Sequence, residues 1–248
     1  ACRDAVGEEH PMALVGIAPH SLRAVPPELL PELLAAAEEM FAVAPPVHLH
    51  IAEQRREVEE CRSRLGATPL DWLLDRLPVN ERWCLVHATH SSARERARAA
   101  ASGAVAGLCP STEADLGDGL FDAVDWLQRG GRFGVGSDSN VQVDPAAELS
   151  LLEYGQRLQR ERRNLLTDSL RSCGRRLYED AARGGALALG QPIGSLAPGR
   201  RADLVELDPD HPLLQGLQRD QCLDAYLFSG GPTMIRSVWV AGRERVSR

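Results

Sequence analysis

The sequence predicts an α/β protein built from parallel βαβ units, and three observations carry that prediction. Five short apolar runs, at 12–18, 47–51, 83–87, 104–109 and 132–138, alternate with stretches of helical periodicity. His20, His50, His87 and Asp138 each close a different one of these runs, as functional groups do at the carboxyl ends of parallel strands. No Gly-x-Gly-x-x-Gly loop follows any of them, which disfavours a doubly wound dinucleotide-binding sheet.

Taken in order, the run from Met12 to Ala18 ends in Pro19-His20-Ser21-Leu22-Arg23. A helix follows over about 27–41, with Leu29, Leu30, Leu33, Leu34 and Ala37 at helical spacing. Pro45-Pro46 stops it, Val47, Leu49 and Ile51 form the next strand, and helices are predicted from 54 to 65 and from 69 to 77. Trp83 to His87 is the third strand; Ser91-Ser92 starts a helix that Gly103 stops. Ala104 to Cys109, closed by Pro110, is the fourth, and Arg132 to Asp138 the fifth. Helices are predicted over 146–159 and 177–189. Beyond residue 193 the pattern changes to strands without intervening periodic helices, at 194–208 and 235–243, which predicts a small separate sheet.

The densest chemistry lies in His48-Leu49-His50-Ile51-Ala52-Glu53-Gln54. Alternation puts His48 and His50 on one face, with only one of them at the mouth of the strand. His-x-x-Glu on the turn offers a neutral nitrogen to a metal ion and a carboxylate able to move a proton to or from the ion's water. The competing reading is a core histidine beside a solvated glutamate. Four polar strand ends in consecutive units favour a shared site. His90 reads as a cap for the following helix, Arg157, Arg160, Arg162 and Arg163 as a solvated face, and Trp72, Trp83, Trp126 and Tyr154 as core or interface.

Composition narrows the function classes. With a net charge of -7, a basic nucleic-acid groove is disfavoured, and because all 28 basic residues are Arg, Schiff-base lysine chemistry is excluded. Six Cys at 2, 61, 84, 109, 173 and 222 show no clustering and read as reduced, mostly buried thiols. No run approaches the 18 or so apolar residues of a membrane span, and no signal peptide is evident. The expectation is a cytoplasmic protein with a small-molecule substrate and neither membrane nor nucleic acid as partner.

His50-Ile51-Ala52-Glu53, His87, Gly136-Ser137-Asp138 and Ala197-Pro198-Gly199-Arg200-Arg201-Ala202-Asp203-Leu204 together resemble the amidohydrolase superfamily, in its mononuclear-metal deaminase branch. The stretch from Cys109 to Gly119 is similar to that branch's loop after strand seven, with Glu113 where many relatives carry Asn. Pro19 to Arg23, Ala52-Glu53-Gln54 and Leu152 to Leu158 narrow the resemblance to members that act on N-formimidoyl-L-glutamate in histidine degradation. It runs through essentially the whole chain. It implies a partial TIM-like (β/α)8 barrel, strands four to eight, over 1–192, and part of a small C-terminal β-sandwich over 193–248. The first three strands, a ligating His-x-His pair and the N-terminal part of the sandwich then lie outside this sequence. The absent initiator Met fits a chain cut from something longer, and such a piece, with two open edges, is expected to be poorly soluble or to rely on a partner.

The resemblance also implies roles. His50 and Asp138 would ligate one metal ion per chain, zinc or, with the same donors, iron(II). Asp138 would take the proton of the attacking water, Glu53 would protonate the departing nitrogen, and His87 would stabilise the attacking oxygen or orient the water. Arg23, with His20, would hold a substrate carboxylate through its planar fork. Glu113 would read the cationic formimino group, or else cap a helix. Homodimerisation is implied on the same ground. A ring deaminase of guanine or a related heterocycle is the competing enzyme reading, disfavoured by Arg23; a metal-free fragment with only a binding or oligomerisation role is the competing non-enzyme reading.

Overall fold

The computed structural model of the protein describes residues 13–248, so Met12 and Cys2 lie outside the described residues. Pro27–Leu29 forms a 3-10 turn that leads into α1, Leu30–Met40. There follow β1 Val47–Ile51, α2 Arg55–Leu65, α3 Pro69–Arg76, β2 Trp83–His87, α4 Ala93–Ser102 and β3 Val105–Leu108. Then come α5 Pro110–Leu116, α6 Ala123–Gln128, β4 Arg132–Val135, α7 Pro145–Arg160 and α8 Cys173–Ala188. The last part carries β5 Leu204–Leu207, α9 Asp220–Ala225, a π-turn Tyr226–Gly230, a 3-10 turn Gly231–Met234, β6 Ile235–Val240 and β7 Arg243–Ser247.

β1 to β4 form one parallel sheet in sequence order, and β5, β6 and β7 a separate antiparallel one. The strand expected at 12–18 is reduced to two isolated parallel bridges, Ile17 to Val47 and Ser21 to His50. Pro19 between them has no N–H to donate, and His20 turns left-handed at φ 47°. Even so, the segment runs along the β1 edge, with Ile17 N–H donating to Pro46 and His48 N–H to Ile17. Residues 110–116, expected as a loop, are helical, and the short α6 and α9 were not foreseen at all.

One face of the sheet is apolar throughout. Val47, Leu49, Ile51, Trp83 and Leu85 are buried in a single cluster with Leu30 and Leu34 of α1 and Leu70 and Leu73 of α3. Each such fully buried side chain contributes roughly 1.5–3 kcal/mol of hydrophobic stabilisation. On the other face Cys84 and Val105 pack against Ala188 at the end of α8, and His48 Nε2–H donates to the Ala188 carbonyl at 2.8 Å. His48 is thereby tied to α8. Trp72, Trp83 and Trp126 are core residues, and Cys61, Cys84, Cys109 and Cys173 are buried free thiols, as expected.

Buried carboxylates fasten the connections. Glu153, fully buried, accepts from the N–H groups of Leu165 and Leu166 and from Arg157, so Arg157 is anchored rather than solvated; Arg160 pairs with Asp122. Ser92 and Glu95 form a reciprocal capping box at the start of α4. His90, expected to cap that helix, instead donates to the Asp118 carbonyl at 2.7 Å. Residues 220–234 lie on α7 and α8: Asp224 accepts from Gly174 N–H, Tyr226 stands edge-on to Tyr178, and the Arg157 guanidinium lies over Tyr154 and Phe228. Among the described residues no helix is long and apolar enough to cross a membrane.

Two outcomes follow from this packing. A Cβ on Gly184 would meet the Phe133 carbonyl oxygen at 1.8 Å, whereas one on the neighbouring Gly185 meets nothing within 4 Å. Gly184→Ala should therefore destabilise by roughly 1–3 kcal/mol or more, and Gly185→Ala should stabilise by up to about 1 kcal/mol. Urea unfolding of the pair reads the opposite signs. Separately, the Leu170 and Arg171 N–H groups and the Arg171 guanidinium hold Asp168 down to about 2, against its ordinary 3.8. Because the folded value is the lower one, the stability Asp168 contributes is complete above about pH 4 and is lost as pH falls towards 2. The gap in urea midpoint between the unsubstituted chain and Asp168→Asn should close over that window.

Candidate active site

Parallel pairing sets the strand ends side by side: Ile51 lies opposite His87, and β3 and β4 continue the row. At that edge the backbone departs from strand geometry repeatedly. His20, Ala52, His87, Ala88 and Asp138 all have positive φ, between 47° and 67°. Each such non-glycine residue costs on the order of 1–3 kcal/mol, a strain that clusters where geometry serves function. Its consequence here is directional. By register His87 shares a position with Ile51 on the apolar face, and the left-handed turn at its own Cα re-aims the ring toward His50.

The turn after β1 is held from α2. Glu57, buried, accepts from the N–H groups of Ala52 at 3.0 Å and Glu53 at 2.8 Å. That leaves the Glu53 side chain standing over the strand ends. Sequence reading missed Glu57, although a Glu at the third position of a helix is the usual place for a carboxylate that reaches back to the preceding N–H groups.

His20, Arg23, His50, Glu53, His87, Glu113 and Asp138 all fall within this region. The His20 and His50 rings stack with centroids 4.9 Å apart, and His50 and His87 lie 5.5 Å apart. His50 Nδ1–H donates to the His20 carbonyl at 3.2 Å, and its Nε2 lies 3.9 Å from Asp138 Oδ1. His87 is fully buried; its Nδ1–H donates to Glu113 at 3.2 Å, and its Nε2, without a hydrogen-bond partner among the described residues, is 3.9 Å from Glu53 Oε1. The same oxygen, Glu113 Oε1, also accepts from Cys109 N–H at the start of α5. Arg23 donates to Glu53 Oε2 at 2.5 Å and lies 3.9 Å from Glu57.

The electrostatics follow from these contacts. Burial raises the Glu53 carboxyl, but the Arg23 hydrogen bond and the nearby charges of His87, Arg23 and His50 outweigh it and hold the group below its ordinary value. Burial lowers His87, and Glu113, Glu53 and Asp138 overcome it, so the imidazole is raised. Burial pushes the Cys109 thiol up, which makes it inert as a nucleophile at neutral pH.

Among the described residues no group of three or more His, Cys, Asp or Glu side chains is arranged to hold a metal ion. His50 Nε2 and Asp138 Oδ1 are nevertheless suited to be two ligands of one. Their 3.9 Å separation is a little wider than the ~3.3 Å between two tetrahedral ligands of zinc, and the carbonyl on His50 Nδ1 is the usual partner of a ligating imidazole.

Comparison with known proteins gives this arrangement a family. Residues 2–245 match the Amidohydrolase family, and the chain belongs to it. Within that family it is 53% identical over 230 residues to formimidoylglutamate deiminase of Pseudomonas aeruginosa, over 92% of this chain and 50% of that enzyme. The structure of an amidohydrolase from Brucella melitensis superposes with a TM-score of 0.88 at 44% identity, covering 99% of this chain and 53% of that one. An adenosine deaminase from Xanthomonas campestris with bound zinc superposes at 0.82 and 27% identity, covering 94% and 52%. The chain thus spans about half the length of the curated relatives it matches.

Removing the Glu57 carboxylate would strand two N–H groups that it now satisfies. Glu57→Ala is expected to destabilise by roughly 2–5 kcal/mol, measured by chemical denaturation.

Proposed function

We propose that this chain supplies about half of a metal-dependent deiminase that hydrolyses N-formimidoyl-L-glutamate to N-formyl-L-glutamate and ammonia, a step of histidine degradation. The observation that carries this reading is the 53% identity to formimidoylglutamate deiminase over 92% of the chain. The convergence of His50, Glu53, His87 and Asp138 at one edge of the sheet supports it.

In the proposed architecture the Ile17 to Ser21 edge and β1 to β4 are strands four to eight of a (β/α)8 barrel, residues 1–192 belonging to the barrel and 193–248 to a small β-sandwich. The remaining strands would close the open sheet edges, and the whole enzyme would be a homodimer. His50 and Asp138 would hold one divalent ion, zinc or iron(II), with further ligands from outside the described residues; the zinc in the Xanthomonas relative supports zinc. Bound there, the ion would bring the pKa of a water to about 7 and make a nucleophile available at neutral pH.

The chain's own residues perform the remaining work. Asp138 accepts a proton from the attacking water as oxygen adds to the sp² formimino carbon. Glu53, ionised beside Arg23, takes the hydroxyl proton of the resulting adduct and passes it to the terminal nitrogen; the C–N bond to that nitrogen breaks, the oxygen becomes the formyl carbonyl, and ammonia leaves in place of a poor amide-anion leaving group. His87, aimed by Glu113, presents Nε2 to the attacking oxygen. Glu113 is proposed to fix the His87 tautomer through Oε1, which also accepts from Cys109 N–H, and its other oxygen to read the cationic formimino group. Arg23 and His20 face the substrate's carboxylate. A neutral heterocycle offers Arg23 nothing, which disfavours a ring deaminase.

The test offers N-formimidoyl-L-glutamate and guanine to the protein at the full length of its relatives and to this chain alone. The longer protein should hold about one metal per chain and release ammonia only from the formimidoyl substrate. This chain alone, with His50 and Asp138 as its only proposed ligands, should do neither, and Arg23→Met in the longer protein should cut kcat/KM by at least about 100-fold. Ammonia released from guanine instead would overturn the substrate.

A further inference from the structure

Glu53 is divided between two neighbours. Its Oε2 is bound by the Arg23 guanidinium at 2.5 Å, while its Oε1 lies 3.9 Å from the buried, unpartnered Nε2 of His87. Glu57 fixes this division, since it holds the backbone of Ala52 and Glu53 through two N–H bonds and sits 3.9 Å from the same guanidinium. The residue expected to receive a substrate carboxylate is therefore already engaged by the residue expected to move the proton.

On the deiminase reading above, on which this inference rests, we infer that the Arg23–Glu53 ion pair is a latch: a substrate carboxylate arriving at Arg23 displaces Glu53 and frees it for proton transfer to the departing formimino nitrogen. Recognition and chemistry are then one event. An amidine without a carboxylate leaves Glu53 bound to Arg23 and is processed poorly, so Arg23 determines specificity through Glu53 as well as through direct contact. The electrostatics agree with the geometry, since burial alone would raise the Glu53 carboxyl, and the Arg23 hydrogen bond is the foremost of the interactions that lower it. A carboxyl held ionised by a guanidinium is a poor proton donor.

Competition for one guanidinium is reciprocal, because whatever a ligand does to the Arg23–Glu53 pair, the pair does to the ligand. The product N-formyl-L-glutamate is titrated calorimetrically into the full-length protein in four forms: unsubstituted, Glu53→Gln, Arg23→Met and the double variant. Glu53→Gln should tighten binding about five- to tenfold when Arg23 is present and change it less than about twofold in the Arg23→Met background. The latch is overturned if Glu53→Gln leaves affinity unchanged or weakens it. It is overturned equally if the gain persists without Arg23, since that is the signature of general charge removal, and if no form binds the ligand. Ammonia release by the unsubstituted protein is scored separately. Release without the coupling removes the latch alone, whereas coupling without release removes the deiminase reading and leaves a carboxylate-gated Glu53.

Discussion

The structure depends first on the parallel register of β1 and β2, which sets Ile51 against His87 and so brings two strand ends to a common edge. Because parallel strands need a crossover of a dozen or more residues, each return passes through helices, and those helices cover the apolar face with Leu30, Leu34, Leu70 and Leu73. The edge carrying the carboxyl ends stays open. The candidate site occupies it, with Glu57, His87 and Glu113 buried beneath and His50 and Asp138 about one-third exposed above.

Register alone does not build that site. Alternation would turn His87 to the same face as Ile51, and it is the left-handed turns at Ala52, His87, Ala88 and Asp138 that bend the strand ends inward. The strain is held by specific bonds. Glu57 clamps the first turn, and Glu113, seated on Cys109 N–H, clamps the ring that follows the second. Both are buried carboxylates whose charge is met by N–H donors, which is the condition under which a carboxylate is stable inside a protein.

These distinctions explain what the sequence does and does not disclose. β1 and β2 are legible to the residue because Val, Leu, Ile and Trp alternate or cluster between breakers at Pro45-Pro46 and Asn80. His20, His50, Glu53, His87 and Asp138 are legible because they interrupt or end such runs. The left-handed residues are not, since Ala52 and Ala88 carry none of the Gly or Asn signal that usually announces positive φ. α6 and α9, six residues each, are too short for a helical period to stand out. The contacts of Glu113 are hidden for another reason: its letter does not say which groups it meets, and the 3.2 Å contact to His87 Nδ1 and the bond from Cys109 N–H come only from the fold.

The contact between His50 and Asp138 carries the last step. The His20 carbonyl accepts from His50 Nδ1–H, and on the other side of the ring His50 Nε2 lies 3.9 Å from Asp138 Oδ1. Every other carboxylate in the site has a donor: Arg23 for Glu53, backbone N–H groups for Glu57, and His87 with Cys109 for Glu113. For Asp138 the neighbouring nitrogen is the only ionic contact among the described residues. On the proposed reading, a divalent cation held by His50 and Asp138 would offset carboxylate charge in a region already carrying Glu53, Glu57 and Glu113. On the proposed ligation, closing the 3.9 Å gap by about half an ångström is all that His50 and Asp138 would need.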